Sequence, residues 1–392
     1  MTIVFDSNLA GAATHALVIG VGAYPNAKPG AGGPPVLQSV EDLQSAANGA
    51  KLTVDWLIEH ATDFSPPLGT VDVLIADPQD GPAYAWANAP GAPVQLPTTA
   101  TVVDAGGAWI ERCGAHPGSG ALMFVTGHGA VHGNDPVVFL TDLNANVKDR
   151  WSYLNVRETA GALKRIDNIE WALLLVDACQ EFIVEFETAK PGIGARFTED
   201  PDPMADPGQQ KVALLSAAAQ KVLTYEGELT TQVGVNAGRF TQTVLRALDG
   251  ASARDQSGSG QWVNYAGAVF EDLVYLYRLR PEWREKGFDP SQPEQQNLIL
   301  PIMSYAAPPD VPILVRTDPV EALKAFDLNI FDQGKSPPAL RSCPPTDQGE
   351  WITSLPVSWA QHWLVAHAGG APLEKAFVPA RSIYNQVLKV QT

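Results

Sequence analysis

The sequence predicts an α/β fold with a mainly parallel central sheet flanked by helices. Short apolar runs at 15–21, 71–76, 121–126, 137–140, 171–176 and 212–216 are continuous rather than alternating. Such runs fit strands covered on both faces. Helical spacing fills the intervals at 37–60, 155–166 and 240–248, so strand and helix alternate.

Each element follows from its residues. In 37–60, Leu43, Ala46, Ala47, Ala50, Val54, Leu57 and Ile58 fall on one helical face. Residues 24–35 are rich in Gly and Pro, and 77–99 form a Pro- and Ala-rich insertion containing Trp86. Residues 196–210 set Glu199, Asp200, Asp202 and Asp206 among Pro201, Pro203 and Pro207. Residues 249–261 alternate Ser and Gly, and all four segments read as loops. From about residue 290 the chain is Pro-rich, with a helix expected at 359–367. The expected division is a first domain over 14–288, with a flexible linker at 196–210, and a C-terminal extension over 289–392.

The 392 residues are 45% hydrophobic, enough for a sizeable core. Lys and Arg total 26 against 43 Asp and Glu, a net charge of −17. That balance argues against nucleic acid, whose phosphates need clustered cations, and suits a basic substrate. Cys113, Cys179 and Cys343 are too few and too scattered for a disulfide framework or a zinc site. No metal or other cofactor is expected. The first residues lack a signal-peptide pattern, and no run approaches the roughly 18 apolar residues of a membrane span. A cytoplasmic protein without membrane partners is the expectation.

Two motifs carry chemistry. Residues 121–126 run straight into Gly127-His128-Gly129, and 171–176 run into Asp177-Ala178-Cys179-Gln180. In an open parallel sheet, sites form at the carboxyl ends of strands. A thiol needs ionisation or a neighbouring base to act as a nucleophile. If the two strands are neighbours, His128 takes the Cys179 proton and returns it to the leaving amine. A buried structural cysteine and a histidine in a tight turn are the plainer alternatives. His132 lacks a strand end or flanking glycines and is the weaker base. Cys113 and Cys343 read as structural. Trp351, Trp359 and Trp363 read as packing for the C-terminal segment.

A strand ending in Gly-His-Gly, followed about 50 residues later by a strand ending in Asp-Ala-Cys, resembles the caspase and metacaspase superfamily. Residues 16–24 resemble that family's first strand and 43–57 its first helix. Residues 212–219, Tyr225-Glu226 and 238–241 resemble the elements completing its substrate pocket. The resemblance covers about 14–250 and implies a caspase-hemoglobinase fold and peptide-bond hydrolysis. It casts His128 as base, Cys179 as nucleophile, and the N–H groups of Gly129 and Cys179 as the oxyanion hole. It places Asp177 in the S1 pocket, where a carboxylate attracts Arg or Lys and repels Asp. A purely structural role for Asp177 stays open.

The chain departs from the family where Asn48-Gly49-Ala50 replaces Asn-Asp-Ala, with Asp42 and Glu226 as substitute acids. By the resemblance, the linker at 196–210 is a processing segment. Lys190, Arg196 and Lys211 flank it as cleavage candidates for the enzyme itself or an upstream activating protease. The alternative is a loop never cut. Protein substrates are the implied partners, within regulated proteolysis, cell death or antiviral defence. The competing class is a caspase-fold scaffold or adaptor without activity. Pro25 breaks the dinucleotide fingerprint that Gly20 and Gly22 begin, and no Gly-x-Ser-x-Gly elbow is present.

Overall fold

A computed structural model describes residues 2–79, 93–133, 135–189, 194–197, 211–219, 222–229, 232–255, 258–295, 300–367, 371–381 and 383–389. The chain divides into two compact units. The first comprises 1–245 and 282–302, the second 246–281 and 303–392.

The first unit is mixed α/β. Its strands are β1 (Thr2–Asp6), β2 (Thr14–Val21), β3 (Leu68–Ala76), β4 (Ser119–Thr126), β5 (Gly129–His132), β6 (Asp135–Phe139), β7 (Tyr153–Asn155), β8 (Ile169–Asp177), β9 (Val212–Ser216), β10 (Glu226–Glu228) and β11 (Asn236–Gly238). Its helices are α1 (Gln44–Glu59), α2 (Thr99–Cys113), α3 (Val156–Lys164), α4 (Val184–Ala189) and α5 (Arg239–Arg246), the last running to the edge of the unit. After β12 (Trp262–Asn264) and α6 (Ala266–Arg278) of the second unit, the chain returns with β13 (Ser291–Gln295).

The large sheet has the order β1-β3-β2-β4-β8-β9-β13. The five inner strands are parallel, while β1 and β13 close the edges antiparallel. Leu17, Ile19, Met123, Val125, Leu174 and Val176 are buried on one face with Trp109 of α2 and Leu163 of α3. On α1, Ala46, Ala47, Ala50, Val54 and Leu57 are buried, as the spacing predicts. Helix α2 is capped by Thr98 and Thr101 exchanging hydrogen bonds, and α3 by the Asn155 side chain accepting from Glu158 N–H.

The structure departs from the sequence expectations at several elements. The helix predicted over 37–60 begins only at Gln44, after a short turn at Pro35–Gln38. Leu43 N–H donates to Gly22 O and Asp42 Oδ1 accepts from Tyr24 N–H, which ties the intervening residues to the end of β2. The run at 137–140 is a strand, but it belongs to a separate antiparallel sheet, β5-β6-β7. Beyond the 288/289 point, β13 pairs with β9, while residues 246–281 cluster with the C-terminal strands.

In the second unit, β14 (Met303–Tyr305) pairs with β12. The remaining strands are β15 (Asp310–Asp318), β16 (Asp327–Phe331), β17 (Arg341–Cys343), β18 (Trp351–Pro356), β19 (His362–His367), β20 (Leu373–Phe377) and β21 (Ile383–Lys389). They form two sheets, β18-β15-β21 and β17-β16-β19-β20, around a shared core that includes Ile313, Leu328, Leu355 and Leu364. The helix predicted at 359–367 is therefore strand β19. Trp359 stacks on Trp262 with centroids 6.4 Å apart, and its indole N–H donates to Asp255 at 3.0 Å. Trp363 lies under the Lys335 ammonium at 3.8 Å, and Trp351 packs against the strand core, so the three tryptophans serve different contacts. Among the described residues no helix is long and apolar enough to cross a membrane.

Candidate active site

Strands β4 and β8 are direct neighbours, and Thr126 is the register partner of Asp177. Both strands end at that pair, so His128 and Cys179 each stand two residues past it, at the carboxyl edge of the sheet. The intervening turn requires its glycines. Gly127 has φ +156°, and a β-carbon there would lie 2.9 Å from Tyr24 Oη. A β-carbon on Gly129 would lie 2.5 Å from Cys179 O and 2.8 Å from Ala178 Cβ.

His128 is held at two points. Its backbone N–H donates to Tyr24 Oη at 2.9 Å, and its Nε2 lies 2.9 Å from Glu41 O. A carbonyl only accepts, so Nε2 carries the proton and Nδ1 keeps the lone pair of the neutral ring. Burial lowers the imidazole pKa and outweighs the opposing effects of the Glu41 carbonyl and the Glu181, Glu226 and Glu41 charges. The result is a neutral base with one defined accepting nitrogen.

Cys179 is half-buried. Its Sγ accepts the Thr224 N–H at 3.3 Å and lies 3.5 Å from Thr224 Oγ1. The Cys179 N–H makes no hydrogen bond among the described residues. His128 and Cys179 are not hydrogen-bonded to each other here. Catalytic hydrogen bonds are often open in the absence of substrate and tighten on binding.

The acids around the site are in different states. Asp177 is buried, and its Oδ2 accepts from Thr241 N–H at 3.1 Å and from the Thr241 hydroxyl. Burial raises its pKa to about 6, against the pull of the Thr241 bonds. Gly238 packs directly on this carboxylate. Glu226 is exposed and accepts from the Ser45 hydroxyl. Its charge raises the pKa of both Asp177 and His128. Asp42 pairs with Lys28 at 2.6 Å and accepts from Tyr24 N–H. Burial pushes its pKa up, but the Lys28 bond and charge and the Tyr24 N–H outweigh that and hold it low. Asp42 is therefore already paired with a cation.

Of the processing candidates, Lys190 lies outside the described residues, as does 198–210. Arg196 sits between Ala195 and Phe197, both buried. Ala195 bridges to Leu154, and Phe197 meets Trp109 edge-on at 6.2 Å. Lys211 is buried, and its ammonium donates to Ile166 O at 2.6 Å and Asp167 O at 3.2 Å. A protease needs an extended, accessible segment, so neither Arg196 nor Lys211 is presented for cleavage as expected. His132 packs on Phe186 at 5.2 Å with Nδ1 3.5 Å from Glu187, a structural setting. Cys113 is buried in the core, which pushes its thiol pKa up.

Sequence reasoning missed Tyr24, Thr224, Thr241 and the Glu41 carbonyl as parts of this site. Only Tyr24 and Thr241 carried any signal, one at the end of the first apolar run and the other closing Gly238-Arg239-Phe240-Thr241. No family model and no curated protein matches this chain. Among solved structures, a protein of Geobacter sulfurreducens determined by structural genomics is similar at a TM-score of 0.40 and 16% identity, covering 73% of this chain and 98% of its own.

Proposed function

We propose that this protein is a cysteine endopeptidase of the caspase and metacaspase type, with the caspase-hemoglobinase fold in its first unit. The observation that carries the reading is the pairing of Thr126 with Asp177, which ends two adjacent parallel strands level with each other beneath His128 and Cys179. His128 Nδ1 takes the Cys179 proton, and the thiolate attacks the scissile carbonyl. The N–H groups of Gly129 and Cys179 receive the oxyanion. The tetrahedral adduct collapses to a thioester as the imidazolium protonates the leaving amine, and water, deprotonated by His128, releases the acid. The chemistry needs no cofactor.

The substrate class is protein cut after Arg or Lys. Glu226 is an exposed carboxylate, whereas Asp177 is buried and already engaged by Thr241. Partly desolvated carboxylates reject an acidic P1 more strongly than they attract a basic one. A panel of fluorogenic peptides varying only P1, run on wild type and Cys179→Ala, tests this. Turnover with Arg or Lys that vanishes in the variant is expected. Turnover only with Asp overturns the specificity, and no turnover with any peptide overturns the peptidase reading.

A second reading, an inactive scaffold, draws on one observation: His128 and Cys179 are each bonded to a separate partner, Glu41 O and Thr224 N–H. A thiol-directed peptide electrophile that fails to label Cys179 would favour it.

A further inference from the structure

Cys179 is followed by a glutamine with no access to substrate. Gln180 is 3% exposed, and its amide nitrogen lies 2.7 Å from Ser216 Oγ and 2.6 Å from Ala218 O. It is also 3.5 Å from Ser291 Oγ, and the Ser291 hydroxyl donates to the same Ala218 O at 2.8 Å. The Gln180 N–H donates to Val222 O at 3.2 Å. Residues 217–219 and 222–224 therefore form a collar against the nucleophile turn. Its far end supplies the Thr224 N–H on Cys179 Sγ. The collar is braced from behind by the returning segment, through Ala219 N–H to Asp289 O at 2.8 Å and through Ser291.

Burying a primary amide is costly unless its donors are satisfied. A hydrophobic side chain would fill this place at less cost if packing were the only demand. Gln180 instead joins three chain segments at the residue adjoining the nucleophile: the end of β8, the collar after β9, and β13.

We propose that Gln180 and Ser291 are positioning residues that set the Cys179 thiol against the Thr224 N–H, so that residues 289–291 support the active site. The proposal rests on the peptidase reading above. Gln180 acts by holding the Cys179 turn to the collar, and Ser291 by holding Ala218. Neither touches substrate, so their loss should lower the rate of the chemical step and leave binding nearly unchanged. Displacements of about 1 Å at a reacting group cost on the order of 100-fold.

The experiment uses the full chain with the peptide on which wild type is most active. Wild type, Gln180→Leu, Ser291→Ala and Ser291→Thr are compared in kcat, KM, thermal midpoint and rate of Cys179 alkylation by iodoacetamide. The expected result is kcat down at least tenfold in Gln180→Leu and severalfold in Ser291→Ala. KM should stay within about twofold, alkylation should slow in parallel, and Ser291→Thr should restore kcat because its hydroxyl still reaches Ala218 O. Unchanged kcat in a folded Gln180→Leu overturns the proposal, as does a fall in KM affinity that matches the fall in kcat/KM. If Gln180→Leu does not fold, the Ser291 pair decides: equal kcat in Ala and Thr overturns it. If wild type turns over no peptide, the peptidase reading has failed. Positioning is then judged on alkylation alone, and equal rates in wild type and both Ser291 variants overturn it.

Discussion

The Nε2 of His128 lies 2.9 Å from the carbonyl oxygen of Glu41, and this contact fixes which imidazole nitrogen can accept a proton. It arises because residues 39–43 break from the predicted helix and are tied to the end of β2. The imidazole is thus oriented by a backbone group from an element remote in sequence from the histidine.

The pH dependence of turnover follows from the burial of His128. An imidazole whose pKa is lowered stays neutral, and hence basic, at a pH where a free one is protonated. The acid limb of kcat/KM should therefore lie below the ordinary imidazole value of about 6.5. Glu181 and Glu226 pull the other way, so Glu181→Gln should move the limb lower still. A limb above 6.5 in wild type would mean that another group governs catalysis.

The two acids near the nucleophile should separate by readout. Glu226→Gln should raise KM for Arg or Lys peptides about tenfold or more with little change in thermal midpoint, because Glu226 is exposed. Asp177→Ala strips the buried Thr241 N–H and hydroxyl of their acceptor, which costs about 1–3 kcal/mol. Denaturant melts and P1 kinetics on both variants check this. A stable Asp177→Ala that loses only substrate affinity would reverse the assignment.

The strands were legible because parallel strands buried on both faces leave continuous apolar runs. The same run cannot report strand direction or partner, so 137–140 reads as a strand but not as part of the separate antiparallel sheet. Trp359, Trp363 and His367 recur at helical spacing, yet β19 pairs on both sides, with β16 and β20. Tertiary pairing overrides a short local period. His128 and Cys179 were readable because their chemistry lies in side chains at strand ends. The Glu41 carbonyl and the Thr224 N–H were not, because every residue carries such groups and only the fold aims them.

Processing should be narrow. The segment 198–210 contains no Lys or Arg, while Arg196 and Lys211 are held by the folded chain. If the enzyme cuts itself after basic residues, Lys190 is the flanking site it should use. Mass spectrometry of fragments from prolonged incubation should show a new amino terminus at Pro191 or none. Cleavage after Lys211 in folded protein would show that its burial is not maintained.

Stability in mild acid should depend on His15. Its imidazole is buried against Thr70 at 3.0 Å, and burial, aided by Arg112, lowers its pKa to about 4. The unfolded chain binds this proton first, so the contribution is present above about 6.5 and is lost as pH falls toward 4. Asp72, raised to about 6 by burial, has the opposite sign and costs stability as pH rises from about 4 to 6. In His15→Gln the thermal midpoint should fall less between pH 6.5 and 4.5 than in wild type. An equal fall in both would exclude His15 as the cause.

Gly129→Ala should be strongly damaging for function. The new methyl would sit 2.5 Å from Cys179 O, 2.8 Å from Ala178 Cβ and 2.9 Å from Val137 O. None of these is the end of a flexible side chain, so relief must come from moving backbone. The ladder between β5 and β6 resists on one side, since Gly129 pairs with Val138. On the other side is the turn carrying Cys179, held by the loop contacts of Gln180 and Thr224 and by a single strand bond, Val131 N–H to Glu181 O at 3.0 Å. The turn is the softer neighbour and should yield, carrying the thiol away from His128. Activity should fall at least 100-fold, a larger effect than the accompanying drop in thermal midpoint, because the strained contact lies at the carboxyl ends of the strands beside Cys179. Gly133→Ala is the control. It has φ +63° but open space around its β-carbon position, so it should cost some stability and leave kcat unchanged. Equal activity in Gly129→Ala and wild type would mean that the Cys179 turn has room the structure does not show, and that the close approach of these two residues is not what places the nucleophile.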